Sequence, residues 1–85
     1  MEDWLDRLAD ELGERRLSSK ELGAILKFTR GVAHGVERKL APVSAFMLGV
    51  SVGRRTATGR SREEAFDEVL TRATPLVPVE DEDDR

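Results

Sequence analysis

Val32 to Pro42 reads VAHGVERKLAP. On its left, apolar residues recur at three and four: Leu22, Ile25, Leu26, Thr29, Val32, Ala33 and Val36. At about 100° per residue they form one helical face. On its right, Pro42 opens an uncharged run from Val43 to Gly53. Proline suits a first helical turn, where its missing N–H would lack a partner anyway. The eleven residues therefore read as a corner between two helices. The fold follows from that reading, because a short corner makes its helices antiparallel neighbours.

The helix before the corner starts at Ser18. Ser18 and Glu21 have the S-x-x-E spacing of a capping box, in which each side chain satisfies a backbone N–H of the other residue. Ala24, Phe28 and Gly35 widen its apolar arc, so this helix is expected to touch more than one neighbour. Gly31 and Gly35 each cost about 1 kcal/mol of helix propensity relative to alanine, and close approach of another helix would offset that. The helix after the corner has Val43, Phe46, Met47 and Val50 on one face and Ala45, Leu48 and Val52 nearly opposite. A helix apolar on both sides is central to a bundle or forms an oligomer interface.

Two outer helices complete the reading. The first spans about Asp3 to Gly13, with Trp4, Leu5, Leu8, Ala9 and Leu12 on one side. The last follows a polar link, Arg54 to Arg60, and a second capping box at Ser61 and Glu64. Its stripe is Ala65, Phe66, Val69, Leu70 and Ala73, and Pro75 ends it. Leu76 and Val77 are expected to fold back. The sequence thus predicts an all-α, compact four-helix bundle over 1–77, with a disordered acidic tail over 78–85. Helix three is expected to be the most buried, and the core to contain Val32, Val36, Phe46, Val50, Phe66, Val69 and Leu70.

Composition narrows the function classes. Eighty-five residues support a core worth roughly 3–5 kcal/mol net. There is no cysteine, hence no disulfide framework or thiolate metal site. The acidic start is unlike a signal peptide, and no apolar run reaches membrane-span length, so a cytoplasmic protein is expected. Charge is segregated: the net is −3 from Met1 to Glu21, +7 from Leu22 to Arg62 and −7 from Glu63 to Arg85. A basic middle attracts an anionic partner or is neutralised by its own flanks. Nucleic acid is not the expected partner. Helix three offers valine, phenylalanine, methionine and leucine where a recognition helix needs polar side chains.

The candidate binding residues are His34, Glu37, Arg38, Arg54 and Arg55. His34 is the only histidine and shares a stripe with Lys27, Arg30 and Arg38. With no nucleophile, second histidine or acid pair beside it, it reads as a structural residue near a helix end before it reads as a general base. Glu37 is the only acid between Leu22 and Arg62. It either bridges to a neighbouring cation or orients Arg38 and Lys39 toward an anion. Arg54, Arg55, Arg60 and Arg62 flank a helix start that, with Thr56, Thr58 and Ser61, suits a phosphate; no phosphate-loop pattern accompanies them.

The stretch ILKFTRGVAHGVERKLAPVSAFMLGVSVGR also resembles a family. Its AHxVERxxAPxxxFxxG core, carried here by Ala33, His34, Val36, Glu37, Arg38, Ala41, Pro42, Phe46 and Gly49 with Trp4 upstream, resembles a small, mainly actinobacterial family of uncharacterised domains. Such domains lie beside, or fused to, MobA-type molybdopterin-guanine dinucleotide biosynthesis proteins. The resemblance implies an accessory role in molybdenum cofactor biosynthesis, with a MobA-type nucleotidyltransferase as protein partner. The expected function is a non-catalytic interaction domain, without cofactor or metal, and with a homodimer through an apolar or small-residue helix face open to it. The alternative is a basic patch that binds a phosphorylated small molecule or nucleotide.

Overall fold

The computed structural model describes residues 2–78, with only the backbone of Glu2. The fold is all-α, with four helices and no strand among the described residues: α1 (Glu2–Leu12), α2 (Ser19–Gly35), α3 (Leu40–Ala57) and α4 (Arg62–Ala73). A 3-10 turn, Thr74–Leu76, follows and holds Pro75. No helix among the described residues is long and apolar enough to cross a membrane. The expected tail falls almost wholly outside the described residues.

Both capping boxes form. The Glu21 amide donates to Ser18 Oγ at 3.0 Å, and the Ser18 amide donates to Glu21 Oε1 at 2.9 Å. Ser61 and Glu64 repeat the arrangement at the start of α4. Satisfying two amides that helix geometry leaves without partners fixes where each helix begins. α1 ends at Gly13, whose φ of 69° lies in the left-handed region that glycine enters without steric cost. The corner after α2 is tight. The amides of Val36 and Glu37 both donate to the Val32 carbonyl, and the Leu40 amide donates to Glu37. α3 therefore starts two residues before Pro42. At its other end it continues through Arg54 and Arg55 to Ala57, so most of the expected polar link is helix.

α3 packs between α2 and α4. Among the described residues the buried apolar ones are Val32, Ala65 and Val69, which is a small core. Leu48, Val52, Phe66 and Leu70 are half-buried around it. Helix three is not the most buried element: none of its residues is buried. Val36, Phe46 and Val50, expected in the core, are exposed. The reason is geometric. α2 and α4 both lie on the side of α3 that carries Leu48 and Val52, which leaves the side with Val43, Phe46, Met47 and Val50 uncovered.

The glycines of α2 meet a different partner from the one expected. Val77 and Pro78, after the 3-10 turn, run over Gly31 and Gly35 in place of a helix. A Cβ added at Gly31 would lie 2.8 Å from Val77 Cγ1, and one at Gly35 would lie 3.2 Å from the Pro78 carbonyl oxygen. Val77 thus folds back as expected, while Leu76 points to solvent. Gly23, in the same helix, has nothing within 4 Å. Gly23→Ala should stabilise the protein by about 1 kcal/mol, seen as a rise of roughly 4–8 °C in Tm. Gly31→Ala gains the same helix propensity but drives a methyl into Val77, so its Tm should fall at or below that of the wild type. Paired thermal melts by circular dichroism check both.

Candidate functional site

The five candidate residues do not converge. His34 is exposed on the last turn of α2 and takes part in an interaction of its own. Glu37, Arg38 and Lys39 are exposed in the corner. Glu37 pairs with Lys39, Nζ to Oε2, at 3.4 Å. Arg54 and Arg55 lie near the far end of α3, about 20 Å along the helix axis from the corner. They also diverge from each other, as successive helical residues do. Arg54 is exposed, whereas Arg55 is half-buried against α4.

Arg55 is occupied by its own chain. Its Nε donates to Glu68 Oε1 at 3.2 Å and its Nη1 donates to Ser51 Oγ. Arg60 closes on the other carboxylate oxygen of Glu68. A shallow depression lies here, lined by Arg55, Arg60 and Arg72 but also by Asp67 and Glu68. Those two acids repel an anion in the same depression. The nearby hydroxyls are also engaged: Thr56 donates to the Gly53 carbonyl, Thr58 donates to the Arg55 carbonyl, and Ser61 caps α4.

A second acidic hub, on Glu21 of α2, joins the linker between α1 and α2 (residues 13–18) to α4. Glu21 is only 6% exposed. Its Oε2 accepts from Arg15 Nη2 at 3.0 Å and lies 3.4 Å from Arg62 Nε. A buried carboxylate persists only when cations and amides replace its water, and here it has both. Arg62, expected to help bind phosphate, is spent in this hub. Sequence reading placed Glu21 in a capping box but gave no role to Glu68. Arg62 reaches Glu21, and Arg55 reaches Glu68, from another helix, and only the neutralisation of the basic middle by its flanks pointed to such pairs.

α1 is held mainly through the linker. Arg16 donates to both carboxylate oxygens of Asp10, at 3.2 and 2.7 Å, and lies 3.8 Å from Asp6. The hydrogen bond from Arg16 holds the Asp10 carboxyl below the ordinary carboxylate range. A group with a lowered folded-state pKa stabilises above its unfolded value and loses that contribution as pH falls through its folded value. Acid should therefore loosen α1 from the linker. Asp10→Asn should flatten the acid limb of Trp4 fluorescence, and an unchanged acid limb would remove Asp10 as its source.

An apolar concavity of about 300 Å³ lies beside α3 and is lined by Leu17, Ile25, Leu48, Val52, Phe66 and Arg62 among others. Gly49 and Gly53 form its rim on α3, and the exposed row begins immediately beyond them. That row is Val43, Phe46, Met47 and Val50, with Phe46 72% and Met47 66% exposed. The spacing of three and four puts all four on one face. Among the described residues, no group of three histidine, cysteine or carboxylate side chains stands close enough to hold a metal ion.

A family model for a domain of unknown function matches residues 1–85. The chain belongs to this family, DUF6457. No curated protein and no solved structure matches it. Within this DUF6457 domain the apolar face of α3 is exposed and adjoins the cleft lined by Leu48 and Val52. At the arginine-rich α3–α4 junction, Arg55, Arg60, Ser51 and Glu68 already satisfy one another, while Arg54 is exposed.

Proposed function

We propose that this domain is a non-catalytic accessory module that works through protein–protein contact, in the cytoplasm, and in molybdenum cofactor biosynthesis beside a MobA-type nucleotidyltransferase. One observation carries the interaction reading: four adjacent apolar side chains on α3, each half or more exposed. Monomeric proteins rarely leave contiguous apolar patches of more than a few hundred Å² in water. Charged residues are absent from Val43 to Gly53, so nothing on that face favours hydration. The molybdenum context rests on the resemblance of the AHxVERxxAP core. In this reading the exposed corner, with His34, Glu37, Arg38 and Lys39, offers a polar rim at one end of the apolar face.

Hydroxyl-radical footprinting of Met47 and Phe46 tests the reading. Both should be oxidised readily in dilute protein. Both should be protected when a MobA-type nucleotidyltransferase is added or when the chain self-associates. A monomeric chain whose Met47 and Phe46 oxidise equally fast with and without the nucleotidyltransferase would overturn it.

The exposed cations Arg38, Lys39 and Arg54 keep a second reading in view, the binding of a phosphorylated small molecule. The roughly 20 Å between corner and junction weighs against a single site. Calorimetric titration with GTP and with inorganic phosphate, at low and moderate salt, discriminates. Saturable binding that survives moderate salt would favour the ligand, and heat that vanishes with salt would be non-specific attraction.

A further inference from the structure

The geometry points to a second copy of this chain as the occupant of the α3 face, seated through its α1 helix. This rests on the interaction reading above and names its partner. α1 carries its own uncovered row. Trp4, Leu8 and Leu12, spaced by four, are exposed, while Leu5 on the inner edge faces Leu17 and Leu22. Two apolar rows on one small chain are thus left in water. In its own chain α1 is tethered by Arg16 and does not cover α3.

Charge says which helix fits the α3 face. The face runs between Lys39, which pairs with Glu37, and the exposed Arg54, with Arg38 also exposed beside the corner, and no acid occurs in sequence between Glu37 and Glu63. An acidic amphipathic helix is its electrostatic match. α1 is such a helix, with Asp3, Asp6, Asp10 and Glu11 against Arg7 alone beyond Glu2; Arg16 engages Asp10 and Asp6, which leaves Asp3 and Glu11 to face the cations of a partner. α4 is also acidic, but its apolar side is spent on the core through Ala65 and Val69. A face of α3 laid against the same face of a second copy would instead bring like charges together.

Area agrees. In a twofold pair each protomer contributes both rows, four side chains from α3 and three from α1. Together they offer on the order of 700 Å² per protomer, close to the roughly 800 Å² that one partner buries in a standard interface. Each protomer gives an α1 and receives one, which closes the symmetry and leaves no row over for a third copy. The cleft rimmed by Gly49 and Gly53 adjoins the α3 row and is of a size to take one large side chain, for which Trp4 is the candidate.

Light scattering coupled to gel filtration of the full chain tests this, with helicity followed by circular dichroism. The wild type should run at twice its 9.5 kDa. Phe46→Asp in the α3 row and Leu8→Glu in the α1 row should each halve the mass without loss of helicity, since both side chains face water in the single chain. Met47→Glu and Trp4→Glu serve as second variants in the same two rows. Mixing a Phe46→Asp chain with a Leu8→Glu chain is decisive. One of the two α1–α3 contacts is then built from unaltered surfaces, so association should return in part.

A monomeric wild type would overturn the proposal. So would a dimer lost with Phe46→Asp but indifferent to Leu8→Glu, or a mixture that stays monomeric. A monomer whose Met47 is still protected by the nucleotidyltransferase would sink the self-association alone and leave the interaction reading intact.

Discussion

Replacing Glu21 with alanine should unfold much of the protein at ambient temperature. Three losses coincide at this side chain. The capping bond to the Ser18 amide disappears, which costs about 1 kcal/mol. Arg15 and Arg62 lose their shared anion. Arg62 is the more serious case, because it is three-quarters buried and would keep its charge without this partner. Removing one partner of a buried charge pair costs about 3–5 kcal/mol. Arg15 is half exposed and can turn to water, so a total of about 4 kcal/mol is expected, the cap added to the lower end of that range. That is comparable to the whole net stability of a chain this size, roughly 3–5 kcal/mol. Urea titration should show a midpoint shifted to near zero denaturant. Glu21→Gln keeps an oxygen for the Ser18 amide and should lose less. If alanine costs no more than glutamine, the charges contribute nothing and the hub acts as a cap only.

Glu21 also shows where sequence reading reaches and where it stops. Its capping role was legible because Ser18 and Glu21 are three residues apart, and a cap is local geometry. Ser61 and Glu64 were legible for the same reason, as was the α2–α3 corner. The hubs were not, because Arg62 and Glu21 meet only once packing on α3 has brought the starts of α2 and α4 together, and Arg55 of α3 reaches Glu68 of α4. α3 is the instructive case. Its sequence displayed two apolar faces, and both exist. Periodicity cannot say which face the rest of the same chain will cover. Phe46, the largest residue on one of them, was therefore assigned to a core it does not enter. The candidate binding residues were separated for a related reason. The basic middle is one block in sequence, but 18 residues of helix carry its two ends far apart. Only the local part of the site, Glu37 paired with a neighbouring lysine, was within reach of the sequence.

Ala65→Leu should be the other severe change, and it fails by the opposite route. Ala65 has 0% of its surface exposed, the lowest of any described residue in the core. It lies in the first turn of α4, one turn before Val69, on the row that meets the rest of the core. Val32 and Val69, the other buried apolar residues, are β-branched and stiff at χ1, so they cannot turn aside to make room. Inserting three carbons into a well-packed site costs typically about 1–3 kcal/mol. The upper end is expected here, because the only relief is to move α4 away from its neighbours. That movement would also carry Glu68 and Arg62 from Arg55 and Glu21, so both charge hubs would weaken together. Thermal melts should show a Tm lowered by more than 10 °C, a shift consistent with about 3 kcal/mol at this size. Ala65→Gly opens only a methyl-sized void and should cost about 1 kcal/mol, mostly through helix propensity. A leucine variant as stable as the wild type would mean that α4 is free to shift, and that the small side chain at 65 is not what sets its distance from the other helices.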